Sequence, residues 1–145
     1  MKAYMKTHRG LVREQNEDTI CVAEPLYVLA DGMGGHQAGE VASALAARTL
    51  CETLRDMQPS ADALTRGYLA ANSAVFARQK EDETLSGMGT TMTALWEDQE
   101  YVFVGQIGDS RAYLYRDGKL HQITEDQSMV GEMLRAGAIT EEQAR

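Results

Sequence analysis

Acidic residues stand at the ends of apolar, strand-like stretches at three places: Asn16-Glu17-Asp18, Asp31-Gly32 and Gly108-Asp109. Carboxylates at strand ends beside glycine project into a mouth where a cation can sit. Hard divalent cations want oxygen ligands, and carboxylate, carbonyl and water donors suit Mg²⁺ or Mn²⁺. Two such ions ~3.5–4 Å apart bridge a water, lower its pKa and clamp a phosphoryl group. Taken one at a time, each Asp-Gly is a turn dipeptide before it is a ligand. Arg13 lies just ahead of Glu17 and Asp18 and offers a planar fork for phosphate oxygens. Alone, it reads as a solvated surface arginine. Arg111, two residues after Asp109, reads first as an ion-pair partner.

Other chemistry has less support. His8, His36 and His121 are not at metal-ligand spacing and face no plausible nucleophile. Ser86, Thr90 and Thr91 flank Gly87-Met88-Gly89, with no base placed by the sequence, so a hydroxyl nucleophile is unsupported. These glycines are expected to let backbone approach closely. No Gly-Lys-Ser/Thr follows, so this is not a phosphate-binding Walker loop.

The elements that must position these groups follow from pattern. Residues 2–8 alternate and read as a strand. Residues 18–23 and 26–30 read as a hairpin around Glu24-Pro25. The continuous apolar run Leu26 to Ala30 is expected to be buried on both faces and to end at Asp31-Gly32. Ala38, Val41, Leu45, Leu50, Leu54 and Met57 keep near-helical spacing, and Pro59 stops that helix. Ser60 caps a second helix through Leu64, Tyr68, Ala71 and Val75, which fades at residues 78–83. Short strands are expected at Thr90–Glu97, Tyr101–Ile107, Arg111–Tyr115 and Leu120–Ile123, with a tight hairpin at Asp117-Gly118.

Thr124-Glu125-Asp126-Gln127 reads as a capping box that opens a helix through Met129, Met133 and Leu134, stopping near Gly137. Thr140-Glu141-Glu142-Gln143 is a second box, and the chain ends at Arg145 before a helix could be worth nucleating. The expectation is a chain cut inside an element.

The 145 residues form one domain, without repeat or linker. With 43% hydrophobic and 25% charged residues, the composition excludes a disordered tail. No apolar run approaches the ~20 residues that span a bilayer, and the N-terminus has no signal-peptide core. A net charge of −8 repels phosphate backbones and anionic lipid, so neither nucleic acid nor membrane is an expected partner. Cys21 and Cys51 are expected to be small core residues rather than a disulfide framework or zinc site, in a reducing cytoplasm.

Four motifs occur in fixed order: Arg13-Glu14-Gln15-Asn16-Glu17-Asp18, Asp31-Gly32-Met33-Gly34-Gly35-His36, Gly87-Met88-Gly89-Thr90-Thr91 and Gly108-Asp109-Ser110-Arg111. The series resembles the metal-dependent protein phosphatase family, also called type 2C, and most closely its bacterial members. The resemblance runs from about Thr7 to the end of the chain. It implies an α+β fold, two packed antiparallel β-sheets flanked by helices (an α-β-β-α sandwich), here incomplete at the C-terminal end. It implies hydrolysis of phosphoserine and phosphothreonine in proteins by a water bridging two Mn²⁺ or Mg²⁺ ions, without a phosphoenzyme.

Position by position, the resemblance makes Asp31 the carboxylate bridging both metals and gives the Gly32 carbonyl to one of them. Glu17 and Asp18 would hold metal-bound waters, Arg13 would bind the substrate phosphate, and Asp109 would help hold a third, weaker metal. Residues 124–145 resemble the start of the family's flap. It also implies substrates phosphorylated by a Ser/Thr kinase, and an intact enzyme that is monomeric and cytoplasmic.

There are two departures. Family members outside bacteria carry a histidine right after Asp-Gly as the proposed general acid. Met33 stands there, and His36 cannot be assumed to replace it. The family's C-terminal aspartates and closing strands are also missing, so the fragment alone is expected to bind metal weakly and turn over poorly. The competing readings are a truncated module that binds a phosphoprotein or kinase without hydrolysis, and a hydrolase of small phosphoesters.

Overall fold

In a computed structural model of the chain, residues 2–34, 38–128, 133, 136–137 and 140 are described. The first strands are β1 (Asp18–Ala23) and β2 (Leu26–Met33), followed by helices α1 (Ala38–Leu54) and α2 (Ala61–Glu81). A single 3₁₀ turn (Glu83–Leu85) leads into β3 (Gly89–Thr90), β4 (Met92–Glu97) and β5 (Val102–Ile107). The hairpin β6 (Tyr113–Arg116) and β7 (Lys119–Gln122) closes the series. One antiparallel sheet has the order β1-β2-β4-β5, with β3 added on β2, and β6–β7 forms a second, two-stranded sheet. Two antiparallel sheets with two long helices match the α+β expectation.

Register decides which face of the larger sheet is buried. Ala30 pairs with Thr19 and Val28 with Cys21 and Ala94, so these residues share one face with Leu26 and Trp96. That face receives α1 and α2. Alanines at 38, 42, 46 and 47 bury the near side of α1 and let the helix lie close, while Leu50 and Leu54 fill the space toward α2. A leucine buried this fully contributes ~1.5–3 kcal/mol. Ser60 caps α2 as expected, its hydroxyl accepting from the Ala63 N–H at 3.2 Å. Tyr68 crosses from α2 to the sheet and donates its hydroxyl to the Met92 carbonyl at 3.1 Å.

Several expectations are corrected. β2 is not buried on both faces: its residues alternate, and Leu29 is 40% exposed. The helices cover one face only. The strand also continues through Asp31 and Gly32 instead of ending there, because Gly32 and Met33 pair with β3. The stretch 90–97 is broken at Thr91 into β3 and β4, and α1 ends at Leu54, ahead of Pro59.

Residues 2–8 form no strand. Their side chains bond elsewhere: the Thr7 hydroxyl donates to the Asp18 carboxylate at 3.0 Å, and His8 Nδ1 accepts the Gly10 backbone N–H at 3.0 Å. Tyr4 and Met5 line a cleft on the uncovered sheet face with Ile20, Val22 and Leu29.

The hairpin at 117–118 is as expected, with both residues at positive φ (52° and 76°). The first capping box does not form. The Thr124 hydroxyl accepts from the Ala112 N–H at 3.0 Å, and the Gln127 N–H donates to the Gly108 carbonyl at 2.9 Å. Both groups are spent tying the chain after β7 back to earlier loops. Most of the helix expected through Met129 and Leu134, and the box at 140–143, lie outside the described residues.

Candidate functional site

Asp18 and Asp31 are directly paired across β1 and β2, so two carboxylates that are distant in sequence meet at the strand ends. A loop and a helix terminus set this geometry. Asn16 Oδ1 accepts the Asp18 N–H at 3.1 Å, an Asx turn that starts β1. The Asn16 amide donates to the Thr7 hydroxyl, which in turn donates to the Asp18 carboxylate. Glu17 is held by its backbone: its carbonyl accepts from the Ser43 hydroxyl at 2.6 Å and the Gly32 N–H at 3.2 Å.

The Gly32–Gly39 contact allows this approach. A Cβ on Gly32 would lie 2.0 Å from the Gly39 carbonyl oxygen and 2.8 Å from that of Glu17. A Cβ on Gly39 would lie 2.7 Å from the Glu17 carboxylate. Only glycine at both positions lets the start of α1 rest on the strand ends.

Asp31 is fixed chiefly by Thr91. The Thr91 N–H donates to the Asp31 carbonyl at 2.9 Å, and the Thr91 hydroxyl accepts the Asp31 N–H at 3.2 Å. The Thr90 hydroxyl adds a second bond to that carbonyl at 3.0 Å. The Thr91 hydroxyl also bonds Ser110 at 2.7 Å, which brings the Asp109 loop alongside. Gly108 turns that loop at φ 92°, where a side chain would strike Thr91. Gln106 and Gln127 both bond to Gly108 and hold the turn in place.

The carboxyl of Asp31 is pushed above its ordinary value. Desolvation is the largest cause, followed by the charges of Asp18 and Asp109, a hydrogen bond to the Asp18 carboxylate, and the charge of Glu17. Asp31, Gly32, Asp18, Glu17 and Asp109 are therefore brought together. The donor set is all oxygen and carries several carboxylates, which fits a hard dication in kind. It is incomplete in number: among the described residues, no three His, Cys, Asp or Glu side chains stand as a metal-holding group.

Arg13 lies to one side. It lines a cleft of about 1030 Å³ with Glu17, Gly34, Ala38, Arg78 and Asp82, and Asp31 is not part of that lining. Arg111 is an ion-pair residue as expected, forked onto Asp126 at 2.6 and 2.9 Å. Met33 is exposed beside the site, and His36 falls outside the described residues.

Sequence reasoning passed over Ser43 and Gly39, and gave Thr91 and Gln127 other roles. Thr90 and Thr91 are bonding hydroxyls rather than nucleophiles. The expected close approach at Gly87 and Gly89 is also corrected. Gly87 serves a turn at φ 75° with nothing near its Cβ position, and Gly89 meets only ordinary contacts. The close approach occurs at Gly32 and Gly39 instead.

The chain belongs to the Protein phosphatase 2C family, whose model it matches over residues 9–143. It is 45% identical to the serine/threonine protein phosphatase PstP of Mycobacterium tuberculosis, covering 96% of this chain and 27% of that protein. It is 38% identical to the serine/threonine phosphatase stp of Listeria monocytogenes, covering 99% of this chain and 62% of the relative.

Among solved structures, the catalytic domain of PstP with two manganese ions superposes with a TM-score of 0.83 at 44% identity, over 96% of this chain and 61% of that one. Stp1 of Staphylococcus aureus gives 0.75 at 33% identity, over 92% and 57%. The chain thus spans less than two thirds of the relatives it matches. Their names do not favour the non-hydrolysing binding module. No helix among the described residues is long and apolar enough to cross a membrane.

Proposed function

We propose that the protein hydrolyses phosphoserine and phosphothreonine in proteins, using two Mn²⁺ or Mg²⁺ ions held at the Asp31 cluster and a third bound more weakly. The observation that carries this is the meeting of Asp18 with Asp31 across the β1–β2 pair, with Glu17 and Asp109 alongside; burial first, and these charges second, hold the Asp31 carboxyl above its ordinary value. A cation at that point offsets the repulsion among the carboxylates.

The Asp31 carboxylate and the Gly32 carbonyl would hold the metals, and Asp109 would serve the third. The ions supply an activated water nucleophile and positive charge for the phosphoryl group. Glu17 and Asp18 accept hydrogen bonds from water at the site and orient it. Thr91 keeps Asp31 from moving as charge develops. Arg13 binds phosphate oxygens from the adjoining cleft with its two-pronged guanidinium.

Residues 124–145 begin a flap, a reading supported by the anchoring of Gln127 at the Gly108 turn beside Asp109. Residues 1–145 form the N-terminal part of one catalytic domain. The substrates are products of a Ser/Thr kinase in bacterial signalling, and the intact enzyme works as a cytoplasmic monomer. The relatives' names support this substrate class.

The test compares a phosphothreonine peptide with p-nitrophenyl phosphate as substrates of the full-length protein in Mn²⁺. Faster peptide hydrolysis per unit of kcat/KM, abolished by EDTA, is expected. Hydrolysis that survives EDTA, or that favours the small phosphoester, overturns the reading.

A further inference from the structure

The Sγ atoms of Cys21 and Cys51 stand 2.9 Å apart. Cys21 is on β1 and Cys51 on α1, both half-buried and both free thiols. Register explains the meeting. Cys21 shares the helix-facing side of β1 with Thr19, and Thr19 bonds Ser43 of α1 at 2.9 Å. Ser43 and Cys51 lie two helical turns apart on one side of α1, so the same strand edge meets the helix twice. Neither thiol takes part in the acidic cluster or in the phosphatase chemistry above.

We propose that Cys21 and Cys51 are a dithiol modification site, oxidised by a peroxide to an intramolecular disulfide that pins β1 to α1. A disulfide needs sulfurs about 2.05 Å apart. The two sulfurs stand about 0.9 Å short of that bond.

The chemistry balances as follows. The Cys21 sulfur attacks a peroxide oxygen, the O–O bond breaks, and Cys21 becomes a sulfenic acid as one water leaves. The Cys51 sulfur then attacks Cys21 Sγ, the S–O bond breaks, and the departing oxygen takes the Cys51 proton and leaves as a second water. The two thiols lose two electrons and the peroxide gains them. Burial, then its hydrogen bond to Cys21, pushes the Cys51 thiol up to about 12, so Cys51 is the poorer first attacker on the peroxide. The loop that the bond closes contains β2 and most of α1, and with them Asp31, Gly32 and Gly39.

The test treats the full-length protein with hydrogen peroxide, alkylates the remaining thiols and digests it without reductant. Mass spectrometry should find one linked pair, Cys21 with Cys51 of the same chain, reversed by dithiothreitol. Both cysteines should be lost together from the free-thiol count, and Cys21→Ser should abolish the link. If the two cysteines are recovered singly alkylated, singly over-oxidised, or linked between chains, the proposal is overturned. The unsubstituted protein decides this by itself, whether or not Cys21→Ser folds.

Discussion

Thr91 holds both backbone groups of Asp31: its N–H bonds the Asp31 carbonyl at 2.9 Å and its hydroxyl takes the Asp31 N–H at 3.2 Å. The threonine is 3% exposed, and its hydroxyl also bonds Ser110. One side chain therefore sets the distance between the central aspartate and the Asp109 loop. Thr91→Val keeps the shape and removes the hydroxyl, leaving the Asp31 N–H without that partner. The expected cost is ~1–3 kcal/mol in urea unfolding, with weaker Mn²⁺ binding, while Thr91→Ser stays close to the parent in both.

The proton balance at Asp31 gives a pH prediction. Its carboxyl is raised in the folded protein, mainly by desolvation. Between the ordinary carboxylate value near 3.8 and this raised one, the folded state binds more protons than the unfolded. Stability of the metal-free protein therefore falls as pH rises through that window, and is regained on acidifying. In EDTA, Asp31→Asn should melt higher than the parent at neutral pH, with the gap shrinking toward acid pH. Thermal midpoints against pH check this.

Gly32→Ala is expected to be among the most damaging single substitutions. Its Cβ would stand 2.0 Å from the Gly39 carbonyl oxygen and 2.4 Å from the carbon, and both are backbone atoms. Either α1 lifts from the strand ends or β2 bends, and Asp31 moves in both cases. A loss of ~3 kcal/mol or more is expected in urea unfolding, as for other overpacked sites at the upper end of their range.

The Arg111–Asp126 fork has the geometry of a strong pair, but its partners are 50% and 28% exposed. Solvent screening limits it, and Asp126→Asn should leave the urea midpoint nearly unchanged. Its effect should instead appear as faster hydrogen exchange at Thr124 to Gln127, the segment it helps tie down.

Local chemistry was the legible part of this sequence. The Glu24-Pro25 hairpin, the Ser60 cap, the Asp117-Gly118 turn and the apolar stripe of α1 each depend on neighbours a few residues away, so pattern finds them. The carboxylates at 17, 18, 31 and 109 could be suspected because each follows or precedes an apolar strand. Their meeting required the register of β1 on β2, which no spacing states.

Long-range competition hid the rest. Thr124 and Gln127 have capping-box spacing, but Ala112 and Gly108 take their bonds. The alternation of residues 2–8 suggests a strand, yet Thr7 is used to orient Asp18. The run Leu26 to Ala30 looks buried on both sides because a strand's apolar content does not say which face the helices cover. Cys21 and Cys51 are 30 residues apart, and only the packing of α1 on β1 brings them together.

We propose that Asp31 anchors a metal site that hydrolyses phosphoproteins. The most direct test is Mn²⁺-dependent hydrolysis of a phosphothreonine peptide by the full-length protein, parent against Asp31→Asn. The account predicts a loss of about 10³-fold or more in kcat/KM, roughly 4 kcal/mol of transition-state stabilisation, with the substituted protein still folded by circular dichroism. Hydrolysis by folded Asp31→Asn within a few-fold of the parent, at the same Mn²⁺ requirement, would contradict it.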